Sequence, residues 1–389
     1  MNDRSSSPAL AHLTPTQIHL LINRYYSGEK IATLIAEYGI ECSSSELCRQ
    51  FPPEYVERDC PVCKSPLIKP RISRSCSSGS RHAAIRCSFC SHQETERCVC
   101  PNCREMRAKK VEAQRQRERN AITTFCSENW SYSVTQVEPE QLSVEAAVAL
   151  MSLIRCGGWL NDSTIDAIAH SVVPFAPKEI DITQHLLGVL INDGLIAPSM
   201  DSRPSSFRLA AGEKPHFDWH TVYWGLLIPD APNFIEKLEM LAASNSWPNG
   251  WNESSHVLWK KLAMAECREF CAHAVAQRNL PMPGQTALTT LLDNLLRGFS
   301  VSQCYQLIWN AAGRAVDYMI REKIRSQHAA NALIGSCQRY ADRARAEGWA
   351  IKGFQRNFDL PRSQLSYVLH DVFLKHGDIG FYGTLSTTS

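Results

Sequence analysis

Cys60-Pro-Val-Cys63, Cys76, Cys87-Ser-Phe-Cys90 and Cys98-Val-Cys100-Pro-Asn-Cys103 place eight of the sixteen cysteines within 44 residues. Three of these pairs have two residues between the thiols, the spacing at which a tight turn aims both sulfurs at one metal ion. Two such turns close a tetrahedral Zn2+ site, and eight thiolates suffice for two. The simplest partition joins Cys60, Cys63, Cys87 and Cys90 in one site. Cys76, Cys98, Cys100 and Cys103 then form the other, with His82 or His92 in reserve. Disulfides are the competing use of the same residues, but they need an oxidising compartment. Met1–His12 is short, Ser-rich and without an apolar core, so it reads as a loose tail and not as a signal peptide. A cytoplasmic zinc protein is the expectation.

The 389 residues are enough for two to four domains, and 44% apolar with 21% charged residues is ordinary globular composition. No apolar run reaches the ~18 residues of a membrane span. The net charge of +2 is unevenly spread. From Cys60 to Arg119 fourteen Lys and Arg face five Glu, a surplus of nine, which leaves the rest of the chain at −7. A basic module carried on a mildly acidic body points to an anionic partner, first of all nucleic acid.

Upstream of the cysteines, Thr14-Pro15-Thr16-Gln17 is a helix start with Ile18, Leu21, Ile22 and Tyr25 at helical spacing. Ser27-Gly28 breaks it, a second helix carries Ile31, Leu34, Ile35 and Tyr38, and Gly39-Ile40 ends that one. Ser43-Ser44-Ser45-Glu46 repeats the capping pattern, so a third helix is expected to run to about Phe51, before Pro52-Pro53. With Tyr25-Tyr26-Ser27-Gly28-Glu29-Lys30-Ile31-Ala32 and Tyr38-Gly39-Ile40, this stretch resembles the helix-turn-helix of resolvase/transposase-type proteins. The resemblance implies that Ser44, Ser45, Arg49 and Gln50 face the major groove. From Gly39 to Leu47 the spacing is about two residues longer than the family's. The cysteine order loosely resembles a cross-braced RING arrangement too, from which the Cys98–Cys100 spacing departs.

Two further basic stretches bear on an anionic partner. Ile72–Arg86 is Ser-, Arg- and Gly-rich and reads as a mobile loop whose cations, Arg74 and Arg81 among them, suit phosphate contacts together with Arg71 just before it. Arg104–Arg119 reads as one exposed helix without an apolar stripe. Arg104, Arg107, Lys109, Lys110 and Arg115 on it are either phosphate ligands or a solvated linker face.

Beyond residue 142 a second order is legible. Ser143 caps a helix ending at Gly157-Gly158, another helix is expected over about Ser163–Val172, and a third begins after Asp181 and closes on Asn192-Asp193-Gly194. Leu195–Pro198 and Ser206–Ala210 then read as two short strands around a Ser/Pro/Arg turn. This succession resembles a winged-helix domain. The resemblance maps the recognition helix to Ile182–Asp193 and the wing to Asp201–Arg208. Ile182–Asp193 holds no Lys or Arg, which favours a structural or protein-facing role.

From Pro215 to Pro283 the chain is aromatic, and tryptophans at this density usually fill a helical core. Trp247-Pro248-Asn249-Gly250-Trp251 is the one place where they suggest a ligand groove instead. Cys267 and Cys271 with His273 suit either a buried core or a third metal site, and an apolar helix favours the core. Long helical patterns follow at Leu288–Leu296, Ser302–Arg321, His328–Gly348 and Asn357–Lys375. Before the last, Phe354–Phe358 gives a second helix-turn-helix look. Cations from Arg339 to Arg362 read first as a solvated surface. No phosphate loop, nucleophile elbow or H-E-x-x-H occurs, and Asp162, Asp166 and His170 at helical spacing are commonplace.

The expected molecule is mainly α: a helix-turn-helix (13–53), a zinc-binding Cys-rich module (58–104), a basic helical linker (105–125), a winged-helix-like domain (142–210), an aromatic-rich helical region (215–280) and a C-terminal helical domain (285–381). The first reading of its function is a zinc-stabilised, duplex-DNA-binding protein. Its helical body would meet protein partners or further copies of the chain. In style the first 110 residues resemble bacterial regulatory, mobile-element and phage-defence proteins. Two other readings remain: a nuclease or toxin-like effector with its active site in the C-terminal helical half, and a protein-interaction adaptor.

Overall fold

A computed structural model describes residues 7–75, 85–178, 180–209, 215–244, 246–357 and 359–385. The chain is mainly helical and divides into two compact units, Met1–Arg117 and Glu118–Ser389. No described helix is long and apolar enough to cross a membrane.

The first unit opens with helix α1 (Pro15–Tyr26), started by a capping box in which the Thr14 hydroxyl accepts from the Gln17 backbone N–H and the Gln17 amide oxygen accepts from Thr14 N–H. Helix α2 (Ile31–Glu37) lies against it, and Arg24 grips both Glu29 and Glu37 at 2.7 and 2.6 Å. The third helix, α3, is a single turn, Leu47–Gln50. Residues 43–46 instead form a turn, with the Ser43 hydroxyl donating to the Glu46 carboxylate at 2.6 Å. Phe51 is extended (φ −67°, ψ 140°), as the residue before a proline prefers. Leu10, Leu21, Tyr25, Leu34, Leu47 and Phe51 make the small core of these helices.

Strands β1 (Glu54–Asp59), β2 (Pro66–Lys69) and β3 (Arg86–Cys87) follow as one antiparallel sheet in that order. Residues 76–84, with Cys76, Arg81 and His82, lie outside the described residues. Helix α4 (Pro101–Asn129) is longer at both ends than its sequence pattern predicts. Its residues 104–117 are exposed throughout, and Ile122 and Cys126 are buried in the core of the second unit.

In the second unit α5 (Val144–Gly157) is capped by the Ser143 hydroxyl, as expected. The helix expected over Ser163–Val172 does not form. Strands β4 (Trp159–Asn161) and β5 (Thr164–Ile165) make a hairpin there, followed by a 3-10 turn at Ile168–His170. The junction is tight: a Cβ on Gly157 would collide with the Asp166 carbonyl oxygen and the Ile165 side chain, so α5 can end against this hairpin only through glycine. Helix α6 (Ile180–Asn192) and strand β6 (Ile196–Pro198) come next. The two strands expected to pair with each other do not. β6 pairs with β9 (Trp224–Leu226), while β7 (Phe207–Arg208) pairs with β8 (His216–Phe217). The four-stranded sheet has the order β4-β5-β9-β6, with β7 and β8 lying between β6 and β9 in the chain.

Helices α7 (Ala231–Ala243), α8 (Trp251–Ala276), α9 (Gln285–Leu296), α10 (Val301–Glu322) and α11 (Ser326–Ala346) build the rest of the body. Trp259 and Phe270 are fully buried, and Phe270 stacks on Tyr305 at 3.9 Å. Trp251 is buried against Phe373, as expected of a core, whereas Trp247 packs there half-buried and lines a cavity of about 420 Å3 with Asn252, His256 and Phe373. The second helix-turn-helix look is not realised. Residues 349–357 run without helix, and Phe354 exchanges hydrogen bonds with Ser302 across a point where a Gly353 Cβ would strike the Ser302 hydroxyl. The chain resumes at α12 (Gln364–Tyr367), continues as a π turn (Val368–Phe373) and ends in α13 (Ile379–Tyr382).

Candidate metal centres and nucleic-acid interface

The turn from β1 to β2 is the first knuckle. Cys60 N–H donates to the Ser65 carbonyl at 2.8 Å, Val62 N–H donates to Cys60 Sγ at 3.4 Å, and Lys64 turns the chain with a left-handed φ of 59°. The second knuckle leaves β3 in the same way. Phe89 and Cys90 N–H groups point at Cys87 Sγ, at 3.3 and 3.4 Å, and Ser91 has φ 58°. Pairing of Leu67 with Cys87 brings the two knuckles together. Cys60 Sγ lies 3.7 Å from Cys90 Sγ, and Cys63 Sγ 3.3 Å from Cys87 Sγ. A tetrahedral ion with metal–sulfur bonds of about 2.3 Å needs sulfur–sulfur edges of about 3.8 Å, so the four thiols fit one ion. None of the described cysteines is disulfide-bonded.

The second group is His92, Cys98, Cys100 and Cys103. His92 Nδ1 stands 3.5, 3.7 and 3.2 Å from the three sulfurs, and Gln93 N–H donates to Cys98 Sγ at 3.1 Å. Of the two histidines held in reserve, His92 is placed to supply the fourth ligand, and Cys76 and His82 fall outside the described residues. Cys103 sits in the first turn of α4 and Arg104 N–H caps back onto the Cys100 carbonyl at 3.0 Å, so the second centre seats the start of that helix.

Hydrogen bonds from Ser65 pull Cys63 down to about 6, while burial pushes Cys90 up to about 12. In the second group burial raises both, but backbone N–H groups of Gln93 and Cys100 bring Cys98 to about 6, and Cys103 stays up at about 11. Four ligands this close cannot all ionise without a positive charge between them, and a divalent ion supplies it. Two metal ions can thus be held, each by four protein ligands. Four-ligand sites leave no open coordination position, which is the arrangement of a structural centre.

No family model, no curated protein and no solved structure matches this chain.

The cations expected to meet nucleic acid divide into two sets. Arg71 donates to the Pro52 carbonyl at 2.9 Å and pairs with Glu54 at 3.0 Å. Arg74 donates to the Tyr25 carbonyl at 2.7 Å and lies over the Tyr25 ring. Arg107 donates to the carbonyls of Cys98 and Glu96, buttressing the second centre. These three brace the unit from within, a use that charge counting does not distinguish. Lys109 pairs with Glu105 at 2.7 Å. Arg104, Lys110 and Arg115 are exposed and make no ion pair among the described residues. Ser44, Ser45 and Arg49 are exposed around the single turn of α3, whereas Gln50 is half-buried and accepts from the Ser7 hydroxyl.

Among the described residues no other group of three or more Cys, His, Asp or Glu is close enough to share a metal ion. Cys267 and Cys271 are fully buried in the core, and His273 Nε2 meets the Asn357 amide at 2.9 Å instead. Asp166 and His170 hydrogen-bond at 2.9 Å across a non-helical turn.

Proposed function

We propose that the first unit is a zinc-stapled nucleic-acid-binding head, with one Zn2+ in each centre and duplex DNA as its partner. What carries the reading is α4 from Arg104 to Arg117, exposed on every side, with Arg104, Lys110 and Arg115 unpaired among the described residues. A solvated helix gains nothing from a metal-anchored start, whereas a phosphate-binding helix needs one to hold its cations in register. Around the turn leading into α3, Ser44, Ser45 and Arg49 are placed to add base or sugar contacts. Helix α3 itself is too short to lie along a major groove. The style is that of bacterial regulatory, mobile-element or phage-defence proteins.

For the second unit, α5 and α6 with strands ordered β5-β9-β6 support a winged-helix-like reading, with Asp201–Arg208 in the wing. Helix α6 lacks Lys and Arg, and its His185 is held by Glu145 at 3.1 Å, itself bound to Lys261 at 2.7 Å. That favours a protein-facing or structural winged helix over a second DNA reader.

The test is a salt titration of the full chain on random-sequence duplex. Log affinity should fall linearly with log salt, by about 0.9 per phosphate neutralised. Replacing Arg104, Lys110 and Arg115 together with Ala should weaken all sequences alike and reduce the slope by roughly one per lost phosphate contact. A flat salt dependence, or an unchanged slope in the triple variant, defeats the proposal.

A further inference from the structure

Helices α10 and α11 form an antiparallel hairpin joined by the short connector at Lys323–Arg325, and a cavity of about 740 Å3 runs along it. That volume is in the range of small-ligand pockets. Its walls carry Arg314, Tyr318 and Arg321 from α10, seven residues and two turns of one face, and His328, Gly335 and Arg339 from α11. Three arginines face a single lining carboxylate, Asp317. Arg321 is engaged by Glu322 at 2.8 Å. Arg314 and Arg339 have no ion pair among the described residues, and the Ser336 hydroxyl beside them makes no hydrogen bond there.

These groups are pre-placed. The Arg314 guanidinium stacks over the Tyr340 ring at 4.7 Å, which orients its flat face and leaves its N–H edge free. Arg339 lies along its own helix over Gly335, where a Cβ would come 3.2 Å from Nη1, so the missing side chain makes room for the guanidinium. Two oriented guanidiniums and a hydroxyl in one concavity match the tetrahedral oxygens of a phosphate. The space beyond them, past Tyr318 toward His328, exceeds what inorganic phosphate fills.

We propose that this groove binds a small phosphorylated ligand of nucleotide size, with Arg314 and Arg339 clamping its phosphate. The inference is independent of the DNA-binding head. Titration calorimetry of the full chain with ATP and, separately, with inorganic pyrophosphate tests it. At least one should bind at one per chain, and R314Q/R339Q should weaken it by about a hundredfold, near tenfold for each charge-assisted contact. Both side chains are exposed, so the variant's melting temperature should be unchanged. Two results overturn the clamp: no binding of either probe up to millimolar concentration, or binding that survives R314Q/R339Q. A third does so as well: if the double variant binds the probes as the parent does but loses affinity for duplex DNA, the groove is a nucleic-acid face.

Discussion

In the unit ending at Arg117, the sheet's buried apolar residues among those described are Cys60, Leu67, Ile68 and Cys87, and the second centre buries its own three cysteines. In the unit beginning at Glu118, buried apolar side chains form one cluster from Ile122 to Phe381. The same chain thus uses two ways of offsetting conformational entropy. A few apolar side chains cannot hold a sheet of short strands, and it is there that the two groups able to hold a metal stand, where ligand–metal bonds would supply the missing stability; the larger unit relies on burial. All nine tryptophans lie after residue 118, so their fluorescence reports on the second unit alone.

That contrast breaks most visibly on metal removal. Structural zinc contributes on the order of 10 kcal/mol per site in small zinc domains. A chelator should therefore abolish the fold of the sheet and knuckles while leaving tryptophan fluorescence and its urea transition in place. Loss of both signals together would mean that the units are not energetically separate. Elemental analysis should find two zincs per chain, and one in either Cys60→Ser or Cys98→Ser.

The next effect is on acid stability of the second unit. His370 is buried, and burial first, then the nearby Arg362 and Arg356 charges, lower its pKa from 6.5 to about 3. Because the folded value lies below the unfolded one, protonation favours the unfolded chain. Stability is fully present above about pH 6.5 and declines as pH falls toward 3, by on the order of 4–5 kcal/mol. His370→Gln should flatten that part of the pH profile of the tryptophan-reported transition, and an unchanged profile would assign the acid sensitivity to other groups.

Smaller again is a core deletion. Phe270→Ala, which empties the site stacked on Tyr305, should cost about 3–5 kcal/mol in the tryptophan-reported transition and leave zinc content at two. Gly157→Ala should cost about 1–3 kcal/mol, since its Cβ meets the Asp166 backbone and neither strand nor helix can move freely. A neutral result there would mean that the α5–β5 junction yields to an added methyl group.

What was readable in advance follows from the range of the interactions involved. Capped starts at Thr14 and Ser143, and the helices of the body, depend on residues three or four apart, so they were visible in the pattern. Strand β9 is three residues long and includes a glycine; nothing local marks it, and its place between β5 and β6 is set by partners about 60 and 30 residues away. The same blindness hid the inward use of Arg71, Arg74 and Arg107. A cation that braces a carbonyl and one that waits for a phosphate have the same sequence signature.

Thiol spacing alone determined that this chain can hold metal, because two sulfurs on one tight turn are fixed by four consecutive residues. The spacing also grouped Cys60, Cys63, Cys87 and Cys90 as they stand, but the place of His92 beside Cys98, Cys100 and Cys103 was decided only by strand pairing and the chain reversal after it. The same holds for the hairpin of α10 and α11, whose facing arginines lie 25 residues apart in the chain and meet in one groove only because the helices fold back on each other.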